Sequence, residues 1–376
     1  MSKLERKISV FDVDTPSNAH QPYYPQGEDI LKLRPEAIIS TNNWENGVTV
    51  IIPTYKRPEG LARALSSILS QGSCGRLLEV LIADNDPEGS AQVYVKQIAD
   101  EASVPIIYIH APQPGVSNAR NAAMAKARGR YIAWLDDDQE AGPNWITSYL
   151  STAERYGAAL TFCPSPAVIE GAAKGHPFFV KFFSRSGSAD SGVISEFHGC
   201  GNSFMDRNKF NLPNPVFEPK ANESGGEDDI LFTYIQSQNV ITAWTPESYV
   251  MEYVPAWRAT ANYVRKRSFG FGQGPSRICA GSLNILGLIK WTVIGILQIL
   301  IYGPLALLLT AIGHDRALHY QCRACEGAGK VFWQTVFQQK LYGAQALALK
   351  AKLQRKTKSA ERLARPSHRI KQPTSF

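Results

Sequence analysis

Read for its apolar and polar positions, the chain opens with a polar stretch, 1–46, rich in Pro and Asn and without a sustained period. It reads as an extended arm. From Val48 the pattern turns regular. Val48-Thr-Val-Ile-Ile-Pro53 is a short β-branched run, as a buried strand requires. Over 58–71, Leu61, Ala64, Leu65, Ile68 and Leu69 then recur at helical spacing. The same alternation predicts strands at 77–83, 104–109 and 131–135, with helices at 89–102 and 116–127. Strands alternating with helices predict βαβ units and a mainly parallel sheet. Ligands of such sheets bind beyond the carboxyl ends of the strands, where Pro53, Asp84 and Asp136 stand.

Beyond Pro143 the pattern is less regular. Helices are expected at 145–156 and 228–237, and short strands at 158–162, 202–205 and 241–244. This region reads as a second half of the same domain. The most apolar stretch is 283–312, whose only charge is Lys290. Its length could span a bilayer, but Gly303-Pro304 interrupts it. Basic residues also lie on both sides: Arg265, Lys266, Arg267 and Arg277 before, Arg316 after. A single span would strand one basic cluster outside. A broken, interfacial or re-entrant hairpin is therefore the favoured expectation, with a single span and a soluble helical pair as alternatives.

Composition changes this picture in three places. With 376 residues, 44% hydrophobic and 19% charged, the chain can bury one large core. The formal charge of +7 is uneven: residues 340–376 carry ten Lys/Arg against Glu361, leaving −2 for the rest. The body is thus not expected to bind nucleic acid, and the tail reads as a polybasic segment drawn to an anionic membrane surface or as a solvated tail. The six cysteines form no pairing framework, and Cys322/Cys325 read as small residues on a helix. Residues 1–12 lack an apolar run, so no signal peptide is expected.

Five clusters carry candidate chemistry. Asp136, Asp137 and Asp138 follow an apolar strand directly. Three adjacent carboxylates repel unless a cation sits among them, and strand alternation would turn Asp136 and Asp138 to one side. Paired hard oxygens suit Mg²⁺ or Mn²⁺; a solvated acidic turn is the alternative. Ser224-Gly-Gly-Glu227-Asp228-Asp229 opens a helix whose N-terminal dipole favours carboxylate. It offers a general base, or a plain helix cap. Pro53-Thr54-Tyr55-Lys56-Arg57 and Asp84 could flank and hydrogen-bond a nucleobase, or serve as a helix-start turn and a loop acid. Arg120, in Gly115-Val-Ser-Asn-Ala-Arg-Asn121, could pair with phosphate or with a neighbouring carboxylate. Lower in weight stand His198 and Asn202 beside a donor sugar, Trp145 stacked on an acceptor ring, and Arg265 or Arg267 on a diphosphate.

The order and spacing of Val50-Ile-Ile-Pro-Thr-Tyr-Lys-Arg-Pro58, Ile82-Ala-Asp-Asn85, Gly115–Asn121, Tyr131-Ile-Ala-Trp-Leu-Asp-Asp-Asp138 and Gly225-Gly-Glu-Asp-Asp229 resemble glycosyltransferase family 2, of the type A nucleotide-binding fold. Bacterial exopolysaccharide-assembly enzymes are the nearest in character, and the resemblance covers about 47–253. It implies an α/β catalytic domain at 47–275, a helical membrane-associated region at 276–345 and a basic tail at 346–376. It implies that Pro53, Thr54, Tyr55, Asp84, Arg120 and Asp136 bind nucleotide, that Asp136 and Asp138 hold Mn²⁺ or Mg²⁺, and that Asp228 is the base with Glu227 orienting the acceptor. The implied reaction is an inverting transfer of a hexose from a UDP-sugar to a saccharide acceptor, polyprenyl-diphosphate-linked, at the cytoplasmic face of a bacterial inner membrane. Asp84-Asn-Asp-Pro87 departs from the family's usual Asp-Asp-Gly-Ser. The Gln-x-x-Arg-Trp of processive synthases is replaced by Tyr263-Val-Arg-Lys-Arg267, which points to addition of one sugar. A nucleotidyltransferase would want a glycine-rich loop after the first strand, and a silent scaffold would not need Asp136, Asp138 and Asp228 together.

Overall fold

The computed structural model describes residues 44–222 and 225–339. All belong to the second of two compact units, Asn43–Phe376. The expected basic tail and nearly all of the expected N-terminal arm lie outside the described residues.

The first half alternates as its pattern predicts: β1 (Val48–Thr54), α1 (Pro58–Leu69), β2 (Leu78–Asp84), α2 (Gln92–Glu101), β3 (Ile106–His110), α3 (Val116–Met124) and β4 (Tyr131–Leu135). β5 (Gln139–Ala141), α4 (Trp145–Tyr156), β6 (Leu160–Phe162), β7 (Ala167–Ile169), α5 (Pro177–Phe183), β8 (Gly192–Ile194), β9 (Asn202–Asp206), α6 (Glu227–Gln236), β10 (Thr242–Trp244) and β11 (Val250–Val254) complete the α/β part. The main sheet has the order β3-β2-β1-β4-β9-β6-β10-β8. Parallel pairing joins β3, β2, β1 and β4; β9 runs antiparallel between β4 and β6. β1 and β4 are buried along their whole length because helices cover both sheet faces. One core packs α1 and α4 on one face, and the other packs α3 and α6 on the opposite face.

Several features escaped the sequence pattern, α5 and the edge strand β8 among them. α2 begins three residues later than expected because Gly89 (φ 65°) closes a turn onto the Asp86 carbonyl. A second sheet, β5-β11-β7, was not expected either; β5 and β7 have three residues each, too few to show a period. It matters to the site, because β11 pairs with β5 and so clamps the turn that carries Asp137 and Asp138.

Three helices follow: α7 (Ala261–Gly281), α8 (Ile285–Ala311) and α9 (Ala317–Val331). α7 runs unbroken through the boundary expected at 275/276 despite Pro275. α8 likewise runs through Gly303-Pro304 as one helix of 27 residues, so the expected break into a hairpin at that point is corrected. A proline removes one helix bond at a cost of about 3 kcal/mol. Packing against α9 offsets it: the Tyr302 and Tyr320 rings stack beside Pro304 with centroids 5.9 Å apart.

Candidate active site

β1 and β4 are neighbours, so their carboxyl ends deliver the Thr54–Arg57 turn and the Asp136–Asp138 turn to one place. α1 starts at Pro58 and reaches close beneath the acidic turn. Only a glycine allows this, since a Cβ at Gly60 would collide with the Asp137 carbonyl.

The strand ends at Leu135 and a turn begins, closed by Gln139 N donating to the Asp136 carbonyl at 3.0 Å. Strand alternation therefore lapses, and the expected grouping of Asp136 with Asp138 against Asp137 is corrected: Asp138 sides with Asp137. Asp137 turns towards β1, where it accepts from Thr54 Oγ1 (3.0 Å), Tyr55 N (3.2 Å) and Arg57 (2.7 Å). Asp138 shares that Arg57 nitrogen at 2.9 Å and also meets Arg258 at 3.3 Å. Asp136 faces the other way and pairs with Arg120 at 3.1 Å. The backbone of Gly201 presses against its carboxyl, leaving no room for a side chain there.

Arg120 joins the two acidic motifs. It is buried on α3 and also binds Glu227 at 2.5 Å. That contact draws the first turn of α6 onto the Asp136 side of the cleft. Asp228, the next residue, is half-buried, and accepts from Cys200 N at 3.1 Å and from Asp229 N at 3.0 Å. Gly226, at φ 87°, provides the left-handed entry into α6.

Burial and charge pull the carboxyls apart. Burial pushes Asp137 up to about 6, with Arg57 opposing and Asp138 reinforcing. Burial likewise raises Asp136 and Glu227 against the pull of Arg120. Burial works upward on Asp138 too, but Arg57 and Arg258 outweigh it and hold the group below the usual carboxylate range. Asp138 thus stays charged beside carboxyls that resist charging, its charge answered by two guanidiniums.

Other expected site residues are placed differently. Asp84 is fully buried, its oxygens taken by Asp86 N, Ala91 N and Tyr108 Oη at 2.9, 2.9 and 3.1 Å. In this conformation it shapes the β2–α2 turn and presents no open oxygen to a base. Trp145 is fully buried and packs edge-on to Tyr149, so it belongs to the core and not to an acceptor surface. Asn202 is buried as well: it accepts from Tyr149 Oη (2.7 Å) and donates to the Cys163 carbonyl. These commitments remove it from any sugar contact. His198 packs its ring between Phe162 and Trp244. Arg267 lies on α7 against Tyr263 and Phe271, and its charge acts on Glu252 together with those of Arg185 and Arg258. Pro53 and Thr54 are buried in β1, while Tyr55 is half-exposed at the rim. A cavity of about 280 Å³ opens beside them, lined by Thr54, Lys56, Arg57, Asp86 and Tyr94. Lys56 adopts the left-handed φ of 50°, rare for a residue with a side chain.

Sequence reasoning missed Arg258, Gly60 and Gly201, and gave Arg57 no role of its own. Arg57 stood inside a quoted motif and could have been found. Arg258 follows β11 by four residues and reaches Asp138 only through the β5–β11 pairing, which leaves no local signal.

Comparison with known proteins gives a consistent result. Residues 49–210 match the family model for glycosyl transferase family 2. The succinoglycan biosynthesis protein ExoM of Rhizobium meliloti is 33% identical over 234 residues, covering 62% of this chain and 75% of ExoM. ExoO, another succinoglycan biosynthesis protein of that organism, is 31% identical over 113 residues, covering 30% of this chain and 31% of its own. Among solved structures, residues 1–349 of S. aureus TarS in complex with UDP align with a TM-score of 0.44 at 12% identity, over 76% of this chain and 90% of that one.

Proposed function

Because this chain belongs to glycosyltransferase family 2, we propose that it transfers a single hexose from a UDP-sugar to a saccharide acceptor during assembly of an exopolysaccharide or other cell-surface polysaccharide. The observation that carries the reading is the Arg120 bridge, which gathers Asp136, Glu227 and Asp228 at the carboxyl edge of the parallel strands. ExoM and ExoO, both named for succinoglycan biosynthesis, support the polysaccharide context.

In this reading Tyr55 and the adjoining cavity take the uracil ring, and Thr54 and Asp137 fix the loop that frames it. Asp136 and Asp138 would hold Mn²⁺ or Mg²⁺. Asp136, paired with Arg120 on the other side, would have to turn to join Asp138 at the ion, and among the described residues no group of three His, Cys, Asp or Glu is arranged to hold a metal. That donor set suits an ion that completes its shell from phosphate oxygens and water. When bound, the ion supplies charge neutralisation for the leaving diphosphate. Asp228 takes the proton from the acceptor hydroxyl as that oxygen attacks the anomeric carbon from the face opposite UDP. The configuration inverts, and no second nucleophile is needed. Proton transfer of this kind contributes roughly 10²–10⁴-fold. Glu227, held by Arg120, positions the first turn of α6 and so the base.

The acceptor is a saccharide on a polyprenyl diphosphate, met at the cytoplasmic face of the inner membrane. The exposed apolar α8 supports that location. The test is UDP release from a panel of UDP-sugars, with Mn²⁺ or Mg²⁺ and with EDTA, for the wild type, Asp138→Ala and Asp228→Asn. One donor turned over, silenced by EDTA and by both substitutions, is the expected result. Turnover that survives EDTA or Asp228→Asn would overturn the corresponding role.

A further inference from the structure

We infer that α8 lies along the surface of a phospholipid bilayer, within one leaflet, as a fixed docking keel that does not cross the membrane. This rests on the proposed membrane location and says how the protein meets it.

α8 has two unlike faces. Gly295, Gln298 and Ala306 are buried, and Trp291 and Tyr302 turn to the same side, towards α9. The opposite side is apolar apart from exposed Lys290 near its start, and on it Leu286, Ile289, Leu297, Leu300, Leu307 and Leu308 are each more than half exposed. A row of this length, ~40 Å for 27 residues, would be a liability in water.

Neighbouring contacts fix the level of α8 relative to the catalytic domain. α9 runs antiparallel to it, with Lys330 over Trp291, Gly327 against Gly295 and Tyr320 stacked on Tyr302. α7 runs parallel to α9: Gly272 meets the Glu326 backbone, and Ser276 Oγ donates to the Lys330 carbonyl at 2.8 Å. The midpoint of α8, near Gln298, therefore stands level with Gly272 of α7. The neighbouring Phe271 lies 6.4 Å from Phe182 of α5. Only eight residues, ~12 Å of helix, separate Gly272 from Val264, which shares a core with Phe179, Phe183 and Val254. Leu318 and Cys322 at the start of α9 join that same core.

The second half of α8 thus runs beside the catalytic domain. A bilayer centred on α8 has a hydrocarbon half-thickness of ~15 Å. It would engulf α5 and the Arg323–Glu326–Lys330 ion pairs, and charged groups at that depth are disfavoured. Laid flat, α8 buries its apolar row while α9 and α7 stay on the aqueous side. Exposed Lys290, on the apolar side near the start of α8, would reach back along its own stem to anionic headgroups, and exposed Arg316 beyond the other end would meet them too.

The test uses the full chain and vesicles of phosphatidylcholine with or without phosphatidylglycerol. Wild type is expected to float with the anionic vesicles. Two double variants, Leu286→Glu with Ile289→Glu and Leu300→Glu with Leu307→Glu, should each weaken flotation about ten-fold or more. Their circular dichroism and their UDP release in detergent should be unchanged. Asp315→Cys, in the α8–α9 turn, should react with a membrane-impermeant maleimide, above the wild-type background, without vesicle lysis. Flotation with a protected thiol in Asp315→Cys, or loss confined to the first double variant, would overturn the in-plane arrangement and leave the membrane partner standing. A wild type that does not float removes both, while UDP release would still report the transferase reading separately.

Discussion

At the scale of single residues, the centre of the molecule is an alternation of arginines and carboxylates: Arg258, Asp138, Arg57, Asp137 on one side and Asp136, Arg120, Glu227 on the other. The acids were legible in the sequence because three in a row after an apolar strand demand a cation. Which cation answers each acid was not legible, because Arg57, Arg120 and Arg258 arrive from three different elements. Removing one partner of a buried pair leaves an uncompensated charge and costs about 3–5 kcal/mol. Arg120→Met strands both Asp136 and Glu227, so urea unfolding should show a loss of that order, and Arg120→Lys, unable to fork to both acids, should recover only part of it. The raised carboxyls also set a pH dependence. Asp137, at about 6 in the fold, keeps its proton to higher pH than the unfolded chain does. Its contribution is therefore fully present below about pH 4 and is lost as pH rises through 6. Without divalent cation the melting temperature should fall over that interval. If Mn²⁺ binds the deprotonated site as proposed, the stabilisation by the ion should grow over the same interval. A cation effect equal at pH 5 and pH 7.5 would argue against linkage between the ion and these acids.

At the scale of elements, glycines set the approach distances. The alternating half was readable because β1, β2 and β4 are apolar runs separated by helix-period segments, with boundaries displaced by a few residues at the starts of α2 and β3 and at the end of α3. In the β5-β11-β7 sheet, β5 and β7 have three residues each and no period to read, yet the sheet is what brings Arg258 to Asp138. The helical region was seen as helical but wrongly broken at Gly303-Pro304, since a local breaker was weighed without the packing that overrides it. In that packing, Gly272 and Gly329 let α7 and α9 touch backbone to backbone: a Cβ at Gly329 would collide with the Phe269 carbonyl. Gly329→Ala should therefore cost about 1–3 kcal/mol by overpacking. Gly274→Ala, on α7, whose Cβ would meet no neighbouring atom within 4 Å, should be neutral or slightly stabilising. Paired thermal melts of the two variants separate close approach from helix propensity.

At the scale of the whole molecule, the question is whether the helices are an appendage or part of the catalytic fold. The apolar pattern made 276 a natural division, with a domain on one side and a membrane segment on the other. The packing argues for one body. Tyr263 and Val264 of α7 and Cys322 of α9 are buried in the same cluster as Phe179 and Phe183 of α5 and Val254 of β11. β11 is also the strand that clamps the acidic turn, for Tyr253 N donates to the Asp138 carbonyl at 2.8 Å. Three links therefore connect α9 to the active-site carboxylate: the shared core, β11 and the β11–Asp138 bond. Ending the chain after Gly281 would expose the faces that Leu318 and Cys322 cover. A fully buried Leu is worth about 1.5–3 kcal/mol, so half-buried Leu318 and the smaller buried Cys322 together predict a loss of about 1–3 kcal/mol from the catalytic domain itself. An independent appendage predicts no loss and two separate unfolding transitions. In detergent, calorimetry of the full chain should show a single transition for the described body, and the shortened chain should melt lower and bind UDP more weakly, because slack in β11 reaches Asp138 and Arg258 together. Equal melting temperatures and equal UDP affinity in the two chains would make the helices a passive anchor and break the link from docking surface to active site.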